Sequence, residues 1–395
     1  MKTVFWGILS ILFHYILPVK KKLWIFGADC GNMYREGSKY LIEHILKNHK
    51  DIDCYFITKD KSVFNELKVK GIPCLMNNSF RGLIKIARCD SVFFTQNRSD
   101  INFAYKKKHR CHYYLVHGMP YKKALLQMPS EIKKEIQDKK NKNKIDLRAS
   151  FCRWLGISFD LSDITFVSAT SDFLADFQRR EFHPNVEIKT LGMPRNDALF
   201  QPERMEKEKW IEGVDNKFII TYMPTHRLYG MGEVTPTPFA NQPTIQEWFR
   251  ENNVILLVKN HPNMIPHIKN ELNEDWCKDI TKNKLDPQVC IYHSDVLITD
   301  YSSVWMDYLL LKRPMIFYYY DDFEKNDVGA YYDLRDDPPG HFCYDEEELF
   351  ELIKQCKNNY SQMGPSERII KKYHKYIDGN SCERHYQEIV KRYKE

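Results

Sequence analysis

The sequence lacks the features that would assign it to a specialised class of protein. Its 11 cysteines include no C-x-x-C pair, which argues against a disulfide scaffold or zinc module and favours a reduced, cytosolic protein. The net charge is only +6, from 59 basic and 53 acidic residues, so a dedicated nucleic-acid-binding protein is not expected. No group of His, Cys and carboxylate residues has the spacing of metal ligands along the chain. The sequence therefore predicts no metal site.

The chain also lacks an obvious membrane-spanning run. The apolar segment 4–19 is shorter than the roughly 20 residues that cross a bilayer as a helix. Three lysines, Lys20 to Lys22, follow this segment, whereas a secretory signal carries its positive charge before the apolar core. We predict a membrane-associating helix in segment 1–22, peripheral or monotopic at the cytoplasmic face, whose lysines meet anionic headgroups. A first helix packed on the protein itself is the alternative.

The length and composition indicate a folded protein of more than one domain. A chain of 395 residues exceeds one ordinary hydrophobic core, and a 43% hydrophobic composition is enough to fill two. Apolar strand-like runs alternate with amphipathic helical stretches, which is the pattern of a parallel sheet with crossover helices. The predicted strands are residues 23–26, 53–58, 72–75, 91–95, 112–116 and 164–167, followed after a polar segment by 218–222, 254–258, 296–299 and 315–319.

This alternation predicts an α/β fold of two Rossmann-like, doubly wound domains with a cleft between them. We place the first domain at 23–200, with a basic helical insert at 121–160, and the second at 215–365. Residues 366–395 are predicted to form a charged terminal helix. The insert carries seven basic and four acidic residues between Glu131 and Arg148 and is followed by aromatic residues, a pattern of membrane surfaces or of a solvated helix.

Ligands of doubly wound sheets bind beyond the carboxyl ends of the strands, so the residues that follow each strand are candidates for a site. Histidines, hydroxyl groups and basic residues are concentrated there. They are His117 and Gly118 after 112–116; Pro224, Thr225 and Arg227 after 218–222; Lys259 and His261 after 254–258; and Asp300, Ser302 and Ser303 after 296–299.

The stretch from Ser294 to Asp321 is the most informative of these. An apolar strand runs into the turn Asp300-Tyr301-Ser302-Ser303, and a helix is predicted to begin there. The free N–H groups at a helix start favour an anion, most often a phosphate. The alternative is that Asp300 and the serines only cap the helix.

Several motifs in these positions resemble one family. They are VHGMPYKK (116–123), LGMPRND (191–197), YMPTHR (222–227), KNHP (259–262), SDVLITDYSS (294–303) and PPGHFCYDEEEL (338–349). In this order they are similar to the CDP-glycerol glycerophosphotransferases of teichoic acid and capsule synthesis. The resemblance implies a GT-B-like architecture, peripheral membrane attachment, and transfer of a polyol phosphate from a CDP-activated donor to a hydroxyl of a lipid-linked or glycan acceptor, with release of CMP.

Such a transfer needs a base for the attacking hydroxyl and positive groups for the pyrophosphate. We predict His117 as the general base and His261 as a second catalytic residue. The predicted donor-binding residues are Pro224, Thr225, Arg227, Lys259, Asp300, Ser302 and Ser303. The predicted acceptor-binding residues are Gly118, Arg195, Asn196 and Asp197, although the last three are also ordinary turn residues.

Other interpretations stay open from the sequence. A GT-B glycosyltransferase or epimerase using a nucleotide-sugar would share the fold, and a CDP-ribitol-dependent enzyme would share the chemistry. A non-catalytic membrane scaffold is the third class. No cofactor is required by the residues, and a Mg²⁺ ion accompanying the nucleotide remains an alternative. The oligomeric state is not indicated.

Overall fold

The computed structural model describes residues 2–101, 111–123, 125–127, 161–208, 210–214, 216–225, 235–261, 264–265, 268, 272–283, 285–321 and 329–393. Most of the predicted basic insert, together with His226 and Arg227, lies outside these residues. The chain divides into two compact units. Unit 1 comprises Met1–His117, Leu125–Asp197 and Asp378–Glu395, and unit 2 comprises Gly118–Ala124 and Ala198–Ile377.

Unit 1 is built on a parallel sheet that has seven strands in the described part of the chain, in the order β3-β2-β1-β4-β5-β6-β7. The strands are β1 Leu23–Phe26, β2 Asp53–Thr58, β3 Cys74–Met76, β4 Ser91–Phe94, β5 Cys111–Tyr114, β6 Phe166–Ala169 and β7 Glu187–Thr190. The helices along this part of the chain are α1 Lys2–Ile16, α2 Glu36–Asn48, α3 Lys61–Val69, α4 Phe80–Arg88 and α5 Asp172–Glu181.

The local sequence explains why these elements form. Strands β1 and β4 read LWIF and SVFF and are buried along their whole length, as expected for parallel strands covered on both faces. Helix α3 begins at Asp60, whose carboxylate accepts the N–H groups of Ser62 and Val63. Ser79 caps α4 and Ser171 caps α5 in the same way. Unit 1 thus combines apolar strands with amphipathic helices, of which α3, α4 and α5 have a side-chain cap.

Unit 2 contains a second parallel sheet, with six strands in its described residues, in the order β10-β9-β8-β11-β12-β13. The strands are β8 Phe218–Met223, β9 Val254–Val258, β10 Cys277–Asp279, β11 Val296–Thr299, β12 Met315–Tyr318 and β13 His341–Cys343. Its helices are α6 Pro202–Met205, α7 Pro243–Glu251, α8 Pro287–His293, α9 Val304–Tyr308, α10 Glu346–Asn358 and α11 Glu367–Tyr373. Both sheets begin with the strand order 3-2-1-4-5-6 of dinucleotide-binding folds.

The prediction of two parallel-sheet α/β units is confirmed. The structure adds β7, β10 and β13, which the sequence did not predict because these edge strands are short and read EIKT, CKD and HFC. The predicted single helix over 366–395 is wrong. Gly379 adopts φ 65° in that range, and the segment is divided into α11 in unit 2 and α12, Ser381–Lys391, in unit 1.

Helix α1 presents two different faces. One face packs against α4, where the rings of Trp6 and Phe80 meet edge to face at 5.3 Å, and it buries Ser10 and His14. The other face exposes large apolar side chains at Ile8, Leu12, Tyr15 and Ile16. Among the described residues, no helix has both the length and the apolar character needed to span a membrane. The predicted membrane association of α1 stays a prediction.

Candidate functional site

The order of strands in unit 2 places a ligand-binding position between β8 and β11. From β8 the chain continues to β9 and β10 on one side of this position, whereas β11 continues to β12 and β13 on the other side. Such a topological switch point opens a crevice at the carboxyl ends of the strands. The two turns that follow β8 and β11 are joined there. Thr225 donates its backbone N–H to Asp300 Oδ1 at 2.7 Å, and the Thr299 hydroxyl donates to Met223 O at 2.8 Å. The predicted residues Pro224, Thr225 and Asp300 therefore lie together at this edge.

The hydroxyl turn after Asp300 lies next to the segment that begins unit 2. A Cβ atom added to Gly118 would lie 2.5 Å from Ser303 Oγ, so only glycine fits there without displacing this serine. Ser302 and Ser303 are partly exposed, and the Ser303 side chain makes no capping hydrogen bond to α9. The helix itself is only five residues long. Its dipole is accordingly small, and hydroxyl and N–H groups would provide most of any anion binding.

Lys259 is a buried cation of unit 2. It follows β9 directly, its backbone N–H bonds to Tyr222 O at 2.9 Å, and the residue is only 7% exposed. Within the described ranges, the structure records no hydrogen bond or ion pair of its ammonium group. A buried cation without an anion is costly unless a ligand supplies the charge. His261, two residues further on, is exposed.

Tyrosines pack beside this edge of unit 2. The rings of Tyr301 and Tyr319 stack with centroids 4.3 Å apart, and the hydroxyl groups of Tyr121 and Tyr319 are 3.3 Å apart. Tyr318 and Tyr319 are both buried. The run of three tyrosines from 318 to 320 thus contributes mainly to strand packing, and Tyr301 anchors the turn that carries Ser302.

In unit 1, His117 lies three residues beyond the end of β5 and has an exposed side chain. Its main-chain carbonyl accepts a hydrogen bond from Arg195 Nη1 at 2.5 Å, and the same nitrogen pairs with Glu36 Oε2 at 2.5 Å. Arg195 is buried. The backbone of Glu36 itself adopts φ 61°, in the left-handed region. Arg195, predicted to bind the acceptor, therefore fixes the position of the His117 backbone.

The surroundings of His117 alter its protonation. The ring keeps a solvent-accessible surface, but dense protein around it removes part of its hydration, and this burial lowers the pKa of His117. The Glu36 carboxylate raises the pKa, and the Arg195 and Arg35 guanidinium groups lower it. The net direction is downward, which keeps the imidazole neutral and able to accept a proton at neutral pH.

The switch point of unit 1, between β1 and β4, is occupied by a side chain of the protein. Asp100 is fully buried and its carboxylate accepts the backbone N–H groups of Cys30, Thr95 and Gln96 at 2.7–3.0 Å. The Thr95 hydroxyl donates to the same carboxylate at 3.2 Å. The backbone carbonyl of Asp100 lies against Gly27, the residue after β1. The donors that would bind an anionic ligand here are already used.

The remaining predicted acceptor residues also have internal contacts. Asp197 accepts the backbone N–H groups of Ser381 and Cys382 at 2.8 and 2.7 Å, so its carboxylate caps the first turn of α12. Asn196 is buried, and its backbone N–H bonds to Met193 O. Binding of an acceptor by Gly118, Arg195, Asn196 and Asp197 stays a prediction. Among the donor residues, Arg227 lies outside the described residues, so its role also stays a prediction.

Sequence reasoning missed Glu36 and Asp100. Glu36 stands at the start of α2 and Asp100 in a turn after β4, and both are polar residues in positions where a cap or solvated loop is the ordinary interpretation. The only available signal was position, because Asp100 follows β4 and is therefore near the carboxyl edge of the first sheet.

Comparison with known proteins shows what this chain is similar to. The profile of the family described as CDP-Glycerol:Poly(glycerophosphate) glycerophosphotransferase matches residues 9–391. The chain is 27% identical over 355 residues to the teichoic acid poly(glycerol phosphate) polymerase of Bacillus subtilis strain 168, covering 87% of this chain and 45% of that protein. It is 30% identical over 227 residues to the teichoic acid glycerol-phosphate primase of the same strain, covering 56% of each. The chain thus spans about half the length of these two relatives.

A solved structure of the wall teichoic acid polymerase TagF resembles the whole chain, with a TM-score of 0.72, 19% identity, and coverage of 100% of this chain and 97% of that one. At 19% sequence identity, the similarity shows the fold alone. It supports the GT-B-like, two-domain architecture that the sequence predicted.

Proposed function

This chain belongs to the CDP-glycerol:poly(glycerophosphate) glycerophosphotransferase family, and we propose that it transfers glycerol phosphate from CDP-glycerol to a hydroxyl of a lipid-linked or glycan acceptor in teichoic acid synthesis. CMP is the second product. Unit 2 binds the CDP-activated donor, and unit 1 carries the general base.

The donor assignment rests on Lys259, which is buried and has no recorded side-chain partner among the residues that the structure describes. It follows β9, next in the sheet to β8, whose exit residue Thr225 is joined to Asp300 beyond β11. A pyrophosphate supplies the negative charge that Lys259 lacks, and hydroxyl groups from Ser302 and Ser303 donate to its oxygens. Asp300, an anion, holds the turn in place or accepts a hydroxyl group of the donor.

The reaction forms one P–O bond and breaks another. The acceptor hydroxyl attacks the phosphorus that carries the glycerol, a phosphodiester forms, and the anhydride bond to CMP breaks. The hydroxyl proton passes to the neutral imidazole of His117, and the bond electrons leave with CMP. Lys259, together with the predicted contributions of Arg227 and His261, stabilises the charge that develops on the leaving phosphate.

The role of His117 is tested by His117→Ala. We expect a loss of about 100-fold or more in CMP release from CDP-glycerol with acceptor, because general-base catalysis typically contributes this much. His183→Ala is the matched control, since His183 is an exposed histidine of unit 1. Full turnover by the His117 variant would remove the base assignment.

Donor identity is tested by thermal unfolding with CDP-glycerol, CDP-ribitol and a UDP-sugar, each in the absence of acceptor. A ligand that binds the folded protein raises the midpoint temperature of unfolding by mass action. We expect CDP-glycerol to give the largest shift. A larger shift with CDP-ribitol would identify a ribitolphosphotransferase, and a shift with the UDP-sugar alone would identify a nucleotide-sugar enzyme.

We propose that transfer needs no protein-bound metal, because lysine and the predicted arginine supply the positive charge that phosphate transfer requires. CMP release should persist in excess chelator. Restoration of a lost rate by Mg²⁺ would instead show that a nucleotide-borne ion is needed.

We propose that α1 attaches the protein peripherally to the cytoplasmic face of the membrane. Its exposed side chains Ile8, Leu12, Tyr15 and Ile16 recur at helical spacing and form an apolar stripe. Lys20, Lys21 and Lys22 follow and are all exposed, and Lys20 and Lys22 also pair with Asp53 and Asp51. Exposed lysines beside an apolar stripe favour an anionic surface. The stripe and the lysines together fit the interface of an anionic bilayer.

Sedimentation with lipid vesicles tests this attachment. We expect binding to vesicles containing phosphatidylglycerol and weaker binding to phosphatidylcholine vesicles. Leu12→Glu with Ile16→Glu should abolish it. Val69→Glu is the control, because Val69 is 89% exposed on α3, away from the stripe. Equal binding of both variants would contradict the proposal.

A further inference from the structure

Two histidines and a glutamate, none of them among the residues assigned above, converge on the surface of unit 1. His44 lies in α2, His49 ends that helix, and Glu383 is in the first turn of α12. The Nε2 atoms of His44 and His49 are 2.9 and 2.8 Å from the same oxygen, Glu383 Oε2. The candidate ligand atoms of the three residues all lie within 4.8 Å of one another.

Neighbouring side chains hold all three residues in this orientation. The His49 ring stacks on Tyr386 with centroids 3.4 Å apart and an interplanar angle of 14°. Gln387 Nε2 donates to Glu383 Oε1 at 2.7 Å, which leaves Oε2 directed at the two imidazoles. The Asn48 amide lies 3.2 Å from His44 Nδ1. Such outer contacts are what fix metal-binding side chains in known sites.

The ligand set selects a class of ion. Two imidazole nitrogens and one carboxylate oxygen are the protein ligands of many zinc sites with an open fourth position, whereas Mg²⁺ and Ca²⁺ prefer oxygen ligands. Metal–ligand bonds of about 2.0–2.2 Å in a tetrahedral site place the ligand atoms roughly 3.3–3.6 Å from one another. The three candidate ligand atoms already lie within 4.8 Å of one another.

The hydrogen bonds of the cluster are compatible with an ion. The Glu383 carboxylate is contacted at Oε1 by Gln387 and at Oε2 by the two imidazoles. A bound ion would take the place of the hydrogen bonds between the two Nε2 atoms and Oε2. Each neutral ring then carries its proton on Nδ1. For His44, the Asn48 amide can turn its oxygen toward that proton, because amide oxygen and nitrogen are interchangeable by rotation.

We propose that His44, His49 and Glu383 bind one divalent transition-metal ion of the zinc class, with water in the remaining position. The ion would connect α12 to α2. Its effect is therefore on the stability of unit 1, independent of the proposed transfer reaction.

The test uses the full chain without a histidine tag, stripped by chelator and then dialysed against Zn²⁺ or Co²⁺. We expect one equivalent of metal per chain by elemental analysis, a visible Co²⁺ absorption band typical of low coordination number, and a higher thermal midpoint with Zn²⁺. Excess Mg²⁺ should not displace the ion. Failure to retain an equivalent of either metal, or displacement by Mg²⁺, would overturn the proposal.

Variants locate the ion. His49→Gln and Glu383→Gln should each weaken metal binding by at least about 10–100-fold, the cost found even for outer-contact residues of metal sites. His183→Gln, an exposed histidine of the same unit, should bind metal like the parent protein. Dialysis is done well below the midpoint of each variant, so that a less stable variant is still folded when its metal content is measured. Undiminished binding by both site variants would show that the metal lies elsewhere.

Discussion

The two units share a strand order but use its switch point differently. In unit 1, the donors beyond β1 and β4 bind the carboxylate of Asp100, which is fully buried. In unit 2, the region beyond β8, β9 and β11 contains a buried cation, Lys259, with no anionic partner in the described part of the chain. The crevice of unit 1 thus contains the carboxylate of Asp100, whereas the crevice of unit 2 contains the positive charge of Lys259, which a ligand could neutralise.

This difference shows that a shared topology does not assign the ligand. The strand order provides two equivalent crevices, and individual side chains decide which can accept a phosphate. The internal carboxylate in unit 1 stabilises the fold and uses the donors of its crevice, whereas the role we propose for Lys259 in unit 2 is to bind a ligand.

Replacement of Asp100 should give the largest effect and should sharpen this contrast. Asp100→Ala leaves the buried N–H group of Thr95 and the partly buried N–H groups of Cys30 and Gln96 without their acceptor, at roughly 1–3 kcal/mol each, so we expect the free energy of unfolding to fall by about 3 kcal/mol or more. Chemical denaturation measures the change. Asp345→Ala, which removes only the cap of α10, should cost about 1 kcal/mol. A loss no larger than in this control would mean that the crevice of unit 1 is not held by Asp100.

Replacement of Lys259 should affect binding instead of folding. Lys259→Met removes a charged donor to phosphate that is worth about 1.5–3 kcal/mol, so we expect CDP-glycerol to bind roughly 10–100-fold more weakly. Stability should not fall, because the variant no longer buries an unpaired charge. Calorimetric titration gives the affinity, and Lys371→Met, at an exposed lysine of unit 2, is the control. Unchanged affinity for CDP-glycerol in the Lys259 variant would contradict the proposal that the crevice of unit 2 binds the donor through Lys259.

The contact of Arg195 with the His117 carbonyl should matter for turnover more than for donor binding. Arg195→Met is expected to lower kcat on the order of 10-fold, since misplacement of a catalytic group is costly, and to leave the affinity for CDP-glycerol unchanged. Glu36→Gln combined with Arg195→Met should cost less than the sum of the single changes, because the two side chains form one pair. Additive effects, or weaker donor binding, would place Arg195 in another role.

The pH dependence of turnover should show the smallest change. Since burial lowers the pKa of His117, the base loses its proton-accepting form only below the ordinary histidine range, and the acidic limb of the kcat/KM profile should lie there. Glu36→Gln removes a group that raises this pKa, so the limb should move to lower pH; Arg195→Met should move it to higher pH. Shifts in the reverse directions would show that another group controls the limb.

The sequence predicted most of the fold because buried parallel strands are continuous apolar runs, such as Val254–Val258, whatever surrounds them. It predicted the edge strand β3 but not the edge strands β7, β10 and β13, whose three or four residues are not a continuous apolar run. The positions of Lys259, Thr225 and Asp300 followed from one geometric rule about strand ends. The capping of α12 by Asp197 could not be predicted, since it depends on which helix returns to unit 1.

The cluster at Glu383 shows the same limit more clearly. His44 and His49 are close in sequence, but 334 residues separate His49 from Glu383. Ligand spacing along the chain therefore gave no signal, and the prediction of no metal site was based on that spacing alone. Only the packing of α12 beside α2 brings the three groups together.

The discontinuity of unit 1 has a consequence for biosynthesis. Helix α12 follows all of unit 2 in the chain, yet Tyr393, just beyond it, donates a hydrogen bond to Asp90, and Trp24 of β1 donates one to the Tyr393 hydroxyl. During translation this flank of the first sheet therefore stays uncovered until the ribosome has synthesised all of unit 2 and then α12. A nascent chain stalled before Ser381 would expose that flank to chaperones and proteases.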